Sequence, residues 1–177
     1  MRPRPGVFLV ASPHLSDANF VRSVVYLLDH GDTGSLGFIL NRPLDVPLGE
    51  LWNDAPPGLS DARIAAEGGP VDKHKGLLLH GDTTLAGAQL MSEGIAVGGD
   101  PDALQERWGT GGDHCGPRLF LGHSGWTSGQ LDREIEEGAW LVRPGRIDLL
   151  FDPRPAELLW QHLVEGRNGG MPDPSRN

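Results

Sequence analysis

Cysteine is almost absent from this chain: Cys115 is the only one in 177 residues. A lone thiol excludes an intrachain disulfide and any Cys-rich zinc site, so the fold must rest on its apolar core. Cys115 sits beside His114 in a Gly-rich loop and reads as a reduced thiol without a role. Lysine is nearly as scarce, with only Lys73 and Lys75 among 15 basic side chains, and 24 acidic ones bring the formal net charge to −9. Affinity for nucleic acid rests on cationic side chains displacing counterions from phosphates. No basic run, RNA-binding signature or zinc-finger spacing is present, so direct DNA binding is disfavoured. Also missing is any apolar run of ~18 residues, the length a spanning helix needs. The apolar stretch 7–11 behind the basic start is too short for a signal peptide. The expectation is a cytoplasmic protein with no membrane contact.

Glycine and proline, by contrast, number 26 and 15, and they are spread along the chain as turn punctuation. The length fits one domain over residues 1–166. Residues 167–177 are polar and rich in Gly and Pro, which reads as a disordered tail.

Residues 6–12 (GVFLVAS) form an uninterrupted apolar run of strand length, as expected for a strand covered on both faces. Residues 23–30 and 35–41 read as an antiparallel hairpin joined by the four-residue turn 31–34. Residues 47–53 have the spacing of one or two helical turns. Residues 62–67 lead into 68–71 (GGPV), and strands are expected at 76–81 and in a hairpin over 89–91 and 95–97. Asp100 followed by Pro101 predicts a helix to about Trp108, with Asp at the N-cap and Pro at the first helical position. A strand over 118–122 is expected to turn at His123-Ser124-Gly125-Trp126 into a helix. Thr127 and Gln130 have capping-box spacing for that helix, which runs to about Glu137. Residues 139–142 and 147–151 read as the last strands, and 155–165 as a closing amphipathic helix. Strands joined by turns too short for crossover helices predict an α+β fold: a mixed, mostly antiparallel sheet with about three helices packed on it.

Gly122-His123-Ser124-Gly125 resembles a serine-hydrolase elbow, but Trp126 stands where the second glycine belongs. The alternative is a tight turn in which Ser124 makes a local hydrogen bond. The seven histidines lack metal-ligand spacing, and Gly68-Gly69 and residues 109–112 are not followed by the residues of a phosphate-binding loop. No metal or cofactor is expected. Asn41-Arg42-Pro43 ends an apolar strand with an amide and a guanidinium. These face either a cleft or, for Arg42, an acid such as Asp29 or Glu67.

Several segments in order carry a resemblance: 9–17 (LVASPHLSD), 20–25 (FVRSVV), His30, 34–37 (GSLG), 41–43 (NRP), 68–71 (GGPV), 79–80 (LH), 121–126 (LGHSGW), 129–131 (GQL), and 134–141. Together they resemble the AlgH/YqgE family of small bacterial proteins over roughly residues 6–165. The resemblance implies an α+β fold with a bent, partly barrel-like sheet and a protein without an agreed activity. Some members are labelled transcriptional regulators, a label linked to alginate control, yet no helix-turn-helix pattern is present here. The family's motif residues carry over to Asp17, Arg22, Asn41, Arg42, Gly68, Gly69, Pro70, Gly125, Trp126, Gln130 and Glu134, implying a shared surface. His123-Ser124 departs from the family, which more often has an aromatic and a small residue there. Asp29 stands where Glu is common.

The leading expectation is a non-enzymatic regulatory or binding protein acting through a protein partner or small ligand, with any effect on transcription indirect. Its motif residues are types that shape a pocket more readily than they transfer protons. The alternative is a hydrolase using Ser124 with His80 or His123, and direct DNA binding ranks third.

Overall fold

The computed structural model describes residues 1–59, 65–92, 94–151 and 156–166; the expected tail at 167–177 and the predicted helix start at Pro155 lie outside them. Among the described residues nine strands form one sheet: β1 (Phe8–Ala11), β2 (Val24–Gly31), β3 (Gly34–Ile39), β4 (Ala65–Glu67), β5 (Val71–His80), β6 (Gln89–Ser92), β7 (Ile95–Val97), β8 (Arg118–Trp126) and β9 (Trp140–Arg143). Their order is β6-β7-β5-β8-β3-β2-β1-β9, with β4 beside β8. Every pairing is antiparallel except that of β4 with β8. The sheet curls strongly enough for the Tyr26 hydroxyl on β2 to reach Ser92 Oγ on β6 at 3.3 Å, across four intervening strands. The fold is α+β, with the sheet bent into a half-barrel.

Three helices of seven to nine residues carry the helical layer: α2 (Pro101–Trp108), α3 (Gln130–Glu136) and α5 (Ala156–Val164). Two single turns, α1 (Leu48–Leu51) and α4 (Ile147–Leu150), join them. The second corrects the expected strand at 147–151. A short apolar run has no period of its own to separate helix from strand. Here the amide N–H groups of Leu149 and Leu150 both bond the Arg146 carbonyl, and both leucines are buried.

The apolar run at the start does what its lack of alternation requires. In β1, Phe8 and Val10 enter a core shared with Tyr26, Phe38, Phe120, Leu149 and Leu159. Leu9 and Ala11 enter another on the opposite face, with Val25, Ile39, Trp126, Leu131 and Trp140. A third cluster, including Leu48, Leu78, Leu104, Trp108 and Leu119, seats α2 against the sheet. Each such side chain contributes roughly 1.5–3 kcal/mol on burial, so the three clusters dominate the stability. The β2–β3 hairpin is tighter than expected: Gly31 pairs with Gly34, leaving a two-residue loop.

The central strand is also longer than expected. β8 does not turn at Gly122 but continues to Trp126, because β3 pairs with residues 124–126. On the same side of β8, β4 pairs with residues 119–121. The chain then passes over β8 to begin β5 on its other side, where Val71 pairs with His123. This crossing brings backbone against backbone. A Cβ on Gly68 would lie 2.3 Å from the Gly122 carbonyl oxygen, and one on Gly69 would lie 2.3 Å from the His123 carbonyl. Gly122, at φ +73°, is constrained reciprocally, since its Cβ would meet the Gly69 oxygen at 2.5 Å.

Asp100 and Pro101 occupy the N-cap and first helical positions of α2 as expected, although the Asp100 side chain makes no capping bond. The other end of α2 is clamped: Arg107 Nε donates to Asp82 at 3.1 Å and Nη1 to Asp113 at 2.5 Å. The Thr84 hydroxyl, aided by the Thr84 N–H and Arg107, holds the Asp82 carboxyl below its usual range despite some desolvation. Burial would raise Asp113, but bonds from Arg107, the Cys115 N–H and Trp108 outweigh it and lower this group too.

Two outcomes follow for stability. Gly69→Ala has to separate two backbones at φ +153° and should lose about 3 kcal/mol in urea unfolding; a loss below about 0.5 kcal/mol would contradict the crossing. Both clamp carboxylates are depressed, so their contribution is present above the ordinary carboxylate range near pH ~4 and fades as pH falls through the lowered values. Arg107→Met should therefore flatten the acid limb of the stability–pH curve while leaving its shape above pH ~6 unchanged.

Candidate functional site

Ten of the eleven motif residues fall into three neighbouring groups. The first fastens the loop that precedes β2. Asp17 Oδ1 accepts the Asn19 N–H at 2.8 Å, and its carbonyl accepts those of Phe20 and Val21. Asn41 acts as a substitute peptide group: its Oδ1 accepts the Val24 N–H at 2.8 Å and its Nδ2 donates to the Arg22 carbonyl at 2.8 Å. This bracket holds Arg22 at φ +55°, with its guanidinium 5.5 Å from the centre of the Trp160 ring. Arg42 donates to the Val21 carbonyl at 3.1 Å. The expected pairing of Arg42 with Asp29 or Glu67 is not formed; the Glu67 N–H instead bonds the Arg42 carbonyl.

The second group is the crossing itself, Gly68-Gly69, followed by half-buried Pro70. The Gly68 carbonyl accepts the Ile39 N–H at 2.9 Å and the Ser124 hydroxyl at 3.1 Å. Ser124 is fully buried inside β8. It stands on no strand-to-helix corner, and its hydrogen bond reaches 56 residues along the chain rather than a local neighbour. The tight turn expected at 122–125 is absent because this segment is strand.

The third group is organised by Glu134 on α3. One carboxylate oxygen accepts the indole N–H groups of Trp126 at 2.7 Å and Trp140 at 3.2 Å, and the other accepts Gln130 Nε2 at 3.2 Å. Gln130 Oε1 reaches back to the Thr127 N–H at 3.0 Å, which is the returning half of the expected capping box. The N-cap proper is Gly129. Phe20 lies against both tryptophans, with ring centres 6.1 and 5.5 Å away, so the first and third groups share one aromatic cluster.

Gly125 behaves differently from the other motif glycines. It is exposed, its backbone lies outside the left-handed region, and a Cβ there would meet nothing closer than the Ser35 carbonyl oxygen at 3.9 Å. A Cβ would fit there. In register it forms a strip across the sheet with Leu36 and Asp29. His123 and Val71, the latter 40% exposed, form a second pair on the same face. A bare glycine inside a strand often marks a bulge, a tight bend or a place of close approach to the backbone.

Two features lay outside the sequence expectations. An open depression of ≈ 520 Å³ beside α2 is bordered by Asp82, Thr84, Leu85, Ala103, Glu106 and Arg107. The donor atoms of Asp113, His114 and Cys115 lie within 4.8 Å of one another, although the Asp113 carboxylate is already held by Arg107. No spacing rule points to the depression, because its walls come from a loop and a helix about twenty residues apart.

Comparison with known proteins agrees with this architecture. An AlgH-like family model matches residues 8–171. A UPF0301 protein of Psychrobacter sp. (strain PRwf-1) is 37% identical over 168 residues, covering 89% of this chain and 87% of its own length. A UPF0301 protein of Azoarcus sp. (strain BH72) is 37% identical over 161 residues, covering 86% and 83%. Among solved structures, the AlgH protein of Pseudomonas aeruginosa superposes with a TM-score of 0.71 at 29% identity, over 96% of this chain and 100% of that one. A protein from Corynebacterium diphtheriae shares the fold, with a TM-score of 0.75 at 24% identity over 98% and 90%. The chain belongs to the AlgH-like family.

Proposed function

We propose that this protein acts by binding at its motif surface, as a regulatory component whose motif residues carry out no reaction themselves, and that a protein partner or small ligand lies across the strip formed by Asp29, Leu36 and Gly125. One observation carries this reading: Gly125 is a motif glycine that neither its backbone angle nor its neighbours require. Its bareness is explained by an occupant that touches the strand. The other motif residues support the same view, because their side chains are engaged in holding the loop, the crossing and the aromatic cluster rather than presented for proton transfer. Burial of Ser124, with its hydroxyl committed to the Gly68 carbonyl, argues against turnover through that residue. A net charge of −9 argues against phosphate backbones as the direct target, so any influence on transcription is indirect.

The test uses Gly125→Val, a substitution the sheet accommodates. Its melting temperature should stay within a few degrees of wild type. A stoichiometric complex recovered with the wild-type chain, or a saturable thermal shift from a metabolite, should then be lost in the variant. Capture or binding that survives Gly125→Val would remove the strip from the mechanism.

A further inference from the structure

The reverse face of the same hairpin carries a constellation that Ser124 does not. His30 on β2 and Ser35 on β3 are cross-strand partners, and His30 Nδ1 lies 2.6 Å from Ser35 Oγ. Ser35 also pairs with Trp126, so both side chains face α3 rather than the Gly125 strip. From α3, Asp132 Oδ1 approaches His30 Nε2 to 3.9 Å. The imidazole is 19% exposed and the Asp132 side chain 56%, so the group is open to solvent. The Ser128 hydroxyl, bonded to the Asp32 carbonyl at 2.6 Å, ties the hairpin loop to the start of α3 and keeps the three residues together.

We propose that Ser35 is an acyl-accepting nucleophile, with His30 as its general base and Asp132 as the residue that positions the imidazole. The substrates are small carboxylic esters or thioesters with good leaving groups. This activity goes beyond the binding reading and does not depend on it, because the two sites lie on opposite faces of β3.

The chemistry follows from the contacts. A carboxylate facing Nε2 favours the tautomer with its proton there, which leaves Nδ1 to accept from Ser35. As Ser35 Oγ bonds to the carbonyl carbon, its proton passes to Nδ1 and the carbonyl π pair moves to oxygen. Collapse of the tetrahedral adduct breaks the bond to the leaving alkoxide or thiolate, which takes the proton from Nδ1. Water then attacks the acyl-serine, giving its proton to Nδ1. That proton returns to Ser35 Oγ as the carboxylic acid departs, and no external oxidant or reductant is needed. Asp132 is beyond hydrogen-bond distance, so its part is to orient and to offset the charge of the imidazolium.

The probe is an alkyl fluorophosphonate applied to the full chain, with the adduct located by peptide mass spectrometry. One phosphonyl group per chain on Ser35 is expected, with labelling slowed ~100-fold in His30→Gln. Asp132→Asn should also slow it and Asp132→Glu restore it, an outcome that a purely structural Asp132 would not give. Ser124→Ala should label as wild type; the labelling is read on Ser35, His30 and Asp132 and the binding reading on Gly125, so failure of one is distinguishable from failure of the other. An adduct anywhere other than Ser35, or none, overturns the proposal. So does unchanged labelling in a His30→Gln chain whose melting temperature is preserved.

Discussion

Everything in this fold hangs on one backbone crossing. Gly68 and Gly69 pass over Gly122 and His123 at separations that leave no room for a Cβ on any of the three glycines. Because the chain can cross there, β4 lies on one side of β8 and β5 on the other, and β8 becomes the strand with three neighbours. The crossing also sets the register with β3. The Gly68 carbonyl takes both the Ile39 N–H and the buried Ser124 hydroxyl, locking three segments at a single oxygen. A buried hydroxyl without such a partner would carry a desolvation penalty; here the penalty is removed and the geometry is specified by the same bond.

Once β3 and β8 are fixed, their two faces take different roles. One is closed by α3, where Glu134 draws two indole N–H groups onto one oxygen and Phe20 packs beside both rings. Aromatic rings bury large areas but require partners for their polar edges, and Glu134 meets that need for Trp126 and Trp140 together. The other face is left bare at Gly125. Residues that look alike in a list of motif positions therefore differ in physical kind. Asn41 replaces a peptide unit, Gly69 makes space for a backbone, and Gly125 stays bare where a Cβ would meet nothing closer than 3.9 Å.

The sequence was most legible where local physics decides alone. The uninterrupted run at β1, the Gly-bounded hairpin of β2 and β3, and the Asp100-Pro101 start of α2 were all visible in it. Family membership was legible too, because it is spread over many separate segments. It misled at residues 122–126, where glycines read as a turn are in fact the means by which one strand passes beneath another. It misled again at 147–151, where five apolar or acidic residues carry no period and the packing of Leu149 and Leu150 selects a helical turn. Arg42 was expected to face a cleft or an acid and instead donates to the Val21 carbonyl, which the loop that Asn41 fastens brings to it.

What the sequence by itself determined was the class of fold, the order of most of its elements, and the family. These depend on composition and on neighbours a few residues away. Which residues meet across the sheet was decided only by tertiary structure. His30 and Ser35 are five residues apart on a hairpin, and Asp132 comes from a helix about a hundred residues later. Gly68 and Ser124 are 56 residues apart. Such contacts are set by strand register and by the passage of one backbone over another, and neither leaves a periodic trace along the chain.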